Sequence, residues 1–146
     1  NYYFSHASYG YMDEEGNVDK STLIVSPEVD YKHLLKRTEI SCLTAIYDAK
    51  KIGKFYMSEH AQKQDYALWL AILKSGIKSY GIDQELAYYR QVKNSSTSQK
   101  YKLFFKHIAF LKETQGFNLL QALYYTLYWF LNGVIRYYIN PFLNKF

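Results

Sequence analysis

The strongest hydrophobic pattern in the chain is a run of eight apolar residues, 66–73, that directly follows a single carboxylate, Asp65. Asp is a favoured N-cap and Gly76, just beyond the run, suits a left-handed C-terminal cap, so the stretch predicts a helix of about three turns. Because this helix is apolar on every side, we expect it to be buried. Asp65 would then lie at the edge of a packed core, either as a simple helix cap or as a group that a substrate can reach.

The first 50 residues predict strands and one short helix. Residues 1–12 read as a strand, residues 13–17 as a turn and residues 18–25 as a second strand. The apolar spacing of residues 29–36 predicts an amphipathic helix, and residues 40–48 are rich in side chains that favour a strand. The acidic turn indicates a solvated loop rather than a metal site, because its carboxylates lie beside Gly and Asn.

Beyond Gly76, two short apolar runs, 77–82 and 86–90, are separated by the polar residues Asp83 and Gln84. This spacing predicts two strands joined by a tight turn. A polar stretch that begins at Arg90 follows, with several hydroxyl groups and cations that could bind phosphate oxygens. Taken alone, the same composition is typical of a flexible loop.

Two helices are predicted towards the C-terminus. In residues 101–113, apolar side chains recur at helical spacing and form one stripe. Residues 117–135 carry no charge and approach the length of a bilayer span. Polar residues interrupt them and aromatic residues cluster in the middle, so a helix in the plane of a membrane interface fits better than a spanning helix. Docking on the protein's own core or on a partner subunit is the alternative.

Composition narrows the function less than the motifs do. The 146 residues form one domain or part of one, and a hydrophobic content of 49% is typical of a folded protein. The formal charge of +5 fits an anionic partner, such as a nucleotide, a lipid diphosphate or an acidic membrane surface, but also a solvated basic face. The single cysteine, Cys42, cannot form an internal disulfide, which favours a reducing compartment.

A set of motifs surrounds the central helix in a fixed order. They are Gln64, Asp65 and Tyr66, then Leu68 and Trp69, then Glu85 to Arg90, then Ser96, Ser98 and Lys100. Over about residues 5–105, this order resembles the C-terminal half of bacterial family-2 glycosyltransferases, most closely those that build cell-wall and capsular polysaccharides. The family often has Glu where this chain has Gln64, so the Asp is retained while a second carboxylate is lost.

The resemblance implies an α/β fold. It would be the C-terminal, acceptor-side part of a GT-A nucleotide-diphospho-sugar transferase fold, with short strands and a buried helix in residues 1–100. Residues 101–146 would form a C-terminal helical segment able to associate with a membrane. Members of the family bind the nucleotide and a divalent metal, Mg²⁺ or Mn²⁺, on an N-terminal half that carries an Asp-x-Asp motif. No Asp-x-Asp occurs in this sequence, so we expect those sites outside this chain and expect this chain alone to be inactive.

The activity implied by the resemblance is inverting transfer of a sugar from a nucleotide-sugar donor. Asp65 would act as the general base that takes the proton from the acceptor hydroxyl. The resemblance assigns substrate-binding roles to seven further residues: Thr44, Gln64, Trp69, Arg90, Lys93, Ser96 and Ser98. Trp69 could stack on a sugar ring and Arg90 could meet a diphosphate. A core position for Trp69 and mere strand propensity for Thr44 are equal alternatives.

The expected partners are a nucleotide-sugar donor, a saccharide or lipid-linked acceptor, a membrane surface and a second copy of the chain, without nucleic acid. We expect a cytoplasmic location, peripheral on the inner face of the cell membrane. A different class of function stays open. In it the chain is a non-catalytic module that docks on a membrane or a partner, and Asp65 only caps its helix.

Overall fold

The computed structural model describes residues 2–58, 61, 63–92 and 100–135. Its strands in this part are β1 Phe4–Met12, β2 Val18–Leu23, β3 Glu28–Val29, β4 Ile46–Tyr47 and β5 Ser79–Arg90. Its helices are α1 Tyr31–Lys36, α2 Ala49–Ile52, α3 Gln64–Lys74, α4 Lys100–Gln115 and α5 Leu119–Val134. The predicted α/β class is therefore confirmed, as are the first two strands and the helices at α1, α3, α4 and α5.

The strands form one mixed sheet in the order β2-β1-β5-β3. β4 pairs with the first two residues of β1, Phe4 and Ser5. β1 and β2 are antiparallel neighbours joined by the predicted acidic turn, in which Asp13 N donates to Asn17 O at 3.0 Å. β1 and β5 are parallel. A parallel pair needs a long crossover connection, and here the crossover contains α3.

The predicted hairpin at Asp83 and Gln84 is wrong, because β5 runs without interruption through both residues. Its pairing with β1 explains the difference. Ala7 pairs with Ile82 and the next residue, Ser8, pairs with Glu85, so Asp83 and Gln84 are extra residues in the register. They form a bulge that the long partner strand tolerates, where a local reading of the sequence predicts a turn.

The predicted strand at residues 40–48 is also largely wrong, since β4 covers two residues of it. Residues 41–45 instead form a hydrogen-bonded turn in which Thr44 N and Ala45 N both donate to Ser41 O, at 3.2 and 3.1 Å. The Ser41 hydroxyl also accepts from Leu43 N at 3.3 Å. A serine side chain that bonds to nearby backbone competes with the strand ladder, which outweighs the strand propensity of its neighbours here.

Helix α3 is buried as predicted and lies at the centre of the core. Six of its residues are buried: Tyr66, Leu68, Trp69, Leu70, Ile72 and Leu73. The Tyr66 hydroxyl donates to Leu34 O at 3.0 Å, which ties α3 to α1. The helix ends at Lys74, and Gly76 has the expected positive φ of 92°.

The C-terminal helices pack on the same core. Ile108, Phe110 and Leu111 of α4 and Ala122 of α5 belong to the hydrophobic cluster around α3. α5 begins with a capping box in which Asn118 and Gln121 bond each other's backbone. The proposed boundary near residue 100 stays a prediction.

A close approach between β5 and the segment before β3 gives a test of this fold. A Cβ added at Gly81 would lie 2.1 Å from Ser26 O, a contact that the backbone must move to relieve. Gly81→Ala should therefore lower the unfolding free energy of the chain by roughly 1–3 kcal/mol. At Gly133 in α5, an added Cβ meets nothing within 4 Å. Gly133→Ala is the control and should be neutral or stabilising, because Ala favours helices. Urea unfolding of both variants measures the difference, and equal losses would contradict the packing described.

Candidate active site

Asp65 lies inside the first turn of α3 rather than at its N-cap. The helix begins at Gln64, and its N-cap is Lys63, which makes no side-chain capping bond. The interpretation of Asp65 as the N-cap is therefore wrong by two residues. The Lys63 carbonyl accepts from Ala67 N at 2.9 Å, so the backbone enters the helix before the acid is reached. Asp65 Oδ1 accepts from Tyr66 N at 2.8 Å and lies at the positive end of the helix dipole.

An open cavity of about 360 Å³ lies beside Asp65. Its walls come from the first turn of α3 and from two preceding segments of the chain. The lining residues are Cys42, Met57, Ala61, Lys63, Gln64 and Asp65. Asp65 is half-buried, so its carboxylate is held by the helix while facing a space that a ligand can enter.

A partly buried cation shares this cavity. Lys63 Nζ lies 2.9 Å from His107 Nδ1 on α4 and 4.5 Å from the centre of the Trp129 ring on α5. Burial lowers the pKa of Lys63 to about 8, while the charge of Asp65 acts in the opposite direction. Burial and the charge of Lys63 lower the pKa of His107 to about 3. His107 is thus neutral at pH 7 and accepts the hydrogen bond from the ammonium.

Neither His107 nor Lys63 was among the site residues predicted from the sequence. A signal for His107 was present, because it falls on the apolar stripe of α4, next to Ile108 and one turn from Phe104 and Leu111. A histidine on such a stripe is buried with it, and this one is fully buried. Lys63 directly precedes Gln64, yet its distance to a residue of α4 cannot be read from one chain segment.

Of the other predicted site residues that the structure describes, Thr44, Trp69 and Arg90 lie away from the cavity beside Asp65. Trp69 is 5% exposed and packs on Phe4 with ring centres 5.4 Å apart, which is a core position and not a surface for stacking a sugar. The Thr44 hydroxyl donates to Ala7 O at 3.0 Å. Neither Thr44 nor Trp69 lines the cavity, whereas Gln64 does.

Arg90 lies at the end of β5 and does not line the cavity. Its Nη1 donates to the carbonyls of Asp13 and Glu14 at 3.2 and 2.6 Å, so it holds the β1–β2 turn. Lys93, Ser96 and Ser98 lie outside the described residues. Their predicted contact with a diphosphate stays a prediction.

No metal site is found in this part of the chain. Among residues 2–58, 61, 63–92 and 100–135, no three His, Cys, Asp or Glu side chains form a group that could hold a metal ion. The carboxylate of Asp65 has a lysine beside it in the cavity, which is a poor environment for a cation.

Comparison with known proteins shows which proteins this chain is similar to. Over 121 residues, the chain is 36% identical to TuaG of Bacillus subtilis (strain 168), named as a glycosyltransferase of teichuronic acid biosynthesis; the match covers 82% of this chain and 47% of TuaG. Over 134 residues, 92% of this chain and 52% of the relative, it is 31% identical to WfaP of Escherichia coli, a UDP-Glc:alpha-D-GlcNAc-diphosphoundecaprenol beta-1,3-glucosyltransferase. WfgD of Escherichia coli carries the same activity name and is 28% identical over 132 residues, 90% of this chain and 51% of WfgD.

The chain is therefore a homologue of bacterial glycosyltransferases that act in cell-wall and capsular polysaccharide biosynthesis, and the recognition from its motifs is confirmed. It spans about half the length of the curated relatives it matches. No protein-family model matches the chain. No solved structure matches it either.

The buried His107 should make the folded chain sensitive to acid. Its pKa is 6.5 in the unfolded chain and about 3 in the folded chain, so between these values the unfolded chain binds a proton that the folded chain does not. The unfolding free energy should fall as the pH drops from 6.5 towards 3, with roughly 2–4 kcal/mol of the loss due to this residue.

Urea unfolding at several pH values in this range checks the effect. His107→Asn keeps an acceptor near the Nδ1 position but does not titrate, so its stability should depend less on pH than that of the wild type. Lys106→Met, an exposed change on the same helix, should follow the wild-type curve. A stability difference between wild type and His107→Asn that is constant across the range would contradict the burial of a neutral His107.

Proposed function

We propose that this chain is the C-terminal, acceptor-side part of an inverting family-2 glycosyltransferase with a GT-A fold, and that Asp65 is its general base. The observation that carries the proposal is the position of Asp65. A carboxylate fixed in the first turn of a buried helix faces an open cavity of about 360 Å³. That volume is within the range of small-molecule sites in proteins.

In the proposed reaction, the Asp65 carboxylate accepts the proton of an acceptor hydroxyl while that oxygen attacks the anomeric carbon of the donor sugar. The new bond forms on the face opposite to the leaving group, so the configuration at that carbon inverts. The bond from the anomeric carbon to the diphosphate oxygen breaks, and the nucleoside diphosphate leaves with the electron pair. The protein's contribution in this chain is to hold the base still and to provide the space for the acceptor.

The substrate classes follow from the relatives. WfaP and WfgD carry names that specify UDP-Glc as donor and a diphosphoundecaprenol-linked GlcNAc as acceptor. For this chain we propose the shared chemistry, a nucleotide-sugar donor and a saccharide or lipid-linked acceptor. A basic protein with a formal charge of +5 suits the anionic diphosphates of both.

The donor site and any divalent metal would lie outside this chain. The described residues hold no group that could bind a metal ion, so no step is assigned to one here. On the family resemblance, the chain alone is proposed to be inactive.

The test of the base is Asp65→Asn in the full-length enzyme. Asn keeps the acceptor for Tyr66 N but cannot take up the proton, so turnover should fall roughly a hundredfold or more. Asp48→Asn is the matched control, because Asp48 caps α2 by accepting from Lys50 N and Lys51 N. It should keep normal turnover. Initial rates with the nucleotide sugar, together with melting temperatures, decide the matter, and near-normal turnover in Asp65→Asn with an unchanged melting temperature would leave Asp65 a structural role.

Helix α5 supports an attachment to the membrane surface. Its buried positions hold small residues, Ala122 and Thr126, whereas many of its large apolar side chains are exposed. Leu120, Leu127 and Leu131 are 77%, 51% and 48% exposed and fall on one helix face. In the part of the chain that the structure describes, no helix is long and apolar enough to cross a membrane.

A helix of this kind suits an in-plane position at an interface, with its apolar side in the lipid. Polar bonds hold its other side: Trp129 Nε1 donates to Thr38 Oγ1 at 3.1 Å and Asn132 Nδ2 donates to Lys36 O at 3.1 Å. Lys106 and Lys112 precede α5 in the sequence, and cations near an anionic leaflet add roughly 1 kcal/mol each. The alternative function, a non-catalytic module that docks on a membrane, would use the same face of α5. It differs from the proposed enzyme in that Asp65 would have only a structural role.

Liposome flotation tests the surface. The double variant Leu120→Gln, Leu127→Gln should lose at least about tenfold in affinity for anionic liposomes, because each exposed Leu would bury apolar area in the lipid. Tyr56→Gln is the control, since Tyr56 is 81% exposed and lies away from α5 in the sequence. Higher salt should weaken wild-type binding without abolishing it. If the wild type does not float, or the double variant floats as well as the wild type, α5 does not bind membranes through this face.

A further inference from the structure

The Lys63 ammonium is held by three helices at once. It belongs to the N-cap of α3, bonds His107 Nδ1 of α4 at 2.9 Å and lies over the Trp129 ring of α5 at 4.5 Å. The rings of Tyr66 and Phe110 lie 5.8 Å from it. A cation over aromatic faces and against a neutral imidazole is attracted without full neutralisation of its charge.

The imidazole that accepts this bond is itself fixed. His107 stacks on Trp129 with ring centres 4.2 Å apart and on Tyr66 and Phe110 at 5.9 and 6.0 Å. An ammonium has no acceptor, so Nδ1 carries the lone pair and the proton of the neutral ring is on Nε2. The tautomer of His107 is therefore determined by Lys63.

The opposite charge nearest in the sequence is Asp65, two residues further along. Both side chains line the same cavity, and the carboxylate favours the charged form of Lys63 against the effect of burial. The titratable groups of the described residues that face Lys63 are Asp65 and Tyr66 on α3 and His107 on α4, with Cys42 on the cavity wall. The first turn of α3 thus has its cation anchored to α4 and α5 while its anion faces the cavity.

We propose that Lys63 is a positioning residue for Asp65. Its ammonium, fixed by His107 and Trp129, holds the first turn of α3 against the C-terminal helices and keeps the carboxylate directed at the acceptor. The inference rests on the proposed role of Asp65 as the base. It adds that the α4–α5 pair contributes to the reaction through one cation, although no described residue of either helix lines the cavity.

The experiment uses Lys63→Met, Lys63→Arg and the control Lys32→Met in the full-length enzyme, with kcat, KM and melting temperature measured for each. Lys63→Met should lower kcat about tenfold with little change in the donor KM, because a slightly misplaced base slows the chemical step. Lys63→Arg keeps a cation and should recover most of kcat. Lys32 is an exposed residue of α1, and its loss should change neither constant.

Two pH measurements separate this role from a structural one. Wild-type kcat should fall as the pH rises through about 8, where Lys63 loses its proton, whereas Lys63→Arg should keep its rate because guanidinium stays charged. In this chain itself, the backbone amide shifts of Asp65 and Tyr66 should titrate near the same pH in NMR spectra. That step should be absent in Lys63→Met, and its absence from the wild type would overturn the coupling.

Asp65→Asn, measured alongside, separates the two proposals. Normal turnover in Asp65→Asn overturns the base and, with it, the role of Lys63. Lost turnover in Asp65→Asn combined with wild-type kcat in Lys63→Met overturns the role of Lys63 alone. If Lys63→Met melts at a lower temperature but keeps kcat, Lys63 contributes to stability only. If Lys63→Met does not fold, the amide titration of the wild type is the deciding measurement.

Discussion

The parallel pairing of β1 with β5 is the constraint on which the rest of the chain depends. The two strands pair from Ser5 and Tyr80 to Met12 and Arg90, although they are far apart in the sequence. A parallel pair requires a crossover, and the crossover must cover the sheet with an apolar element. Helix α3 provides that element, because Trp69 packs on Phe4 of β1. A short link joins α3 to β5, so the chain reverses there and the first turn of α3 points towards the carboxyl ends of the strands, where α/β sheets commonly bind ligands.

Local pattern was sufficient to predict the elements that this constraint uses. The eight apolar residues after Asp65 predicted a buried helix, and the alternation in residues 1–12 predicted a strand. The local pattern of apolar and polar residues was misleading where two segments that are far apart in the sequence pair with each other. Asp83 and Gln84 read as a turn because nothing near them in the sequence reveals that β1 will pair on both sides of them. The Ser41 turn replaced a strand for the opposite reason, since a local side-chain bond outweighed the propensity of its neighbours.

The same distinction, between local sequence and contacts of distant segments, applies to the residues of the candidate site. The position of Asp65 was predictable because the helix and the carboxylate are adjacent in the sequence, whereas its role as a base is implied by the family resemblance. The contact between Lys63 and His107 was not predictable, because it joins α3 to α4, although the place of His107 on the apolar stripe of α4 was a signal that it is buried. Trp69 illustrates the converse: it follows Asp65 by one turn, yet the helix is buried along its length and the indole belongs to the core. Of two residues one turn apart on the same helix, Asp65 therefore borders a cavity and Trp69 takes the core position that the sequence left as its alternative.

The stack of side chains from α5 to the cavity also sets a distance. Trp129 contacts His107 at 4.2 Å between ring centres, and His107 bonds Lys63 at 2.9 Å. These contacts are short and aromatic, so they resist stretching far more than a flexible linker would. A displacement of α5 is consequently transmitted through two side chains, His107 and Lys63, to the N-terminal end of the helix that carries Asp65.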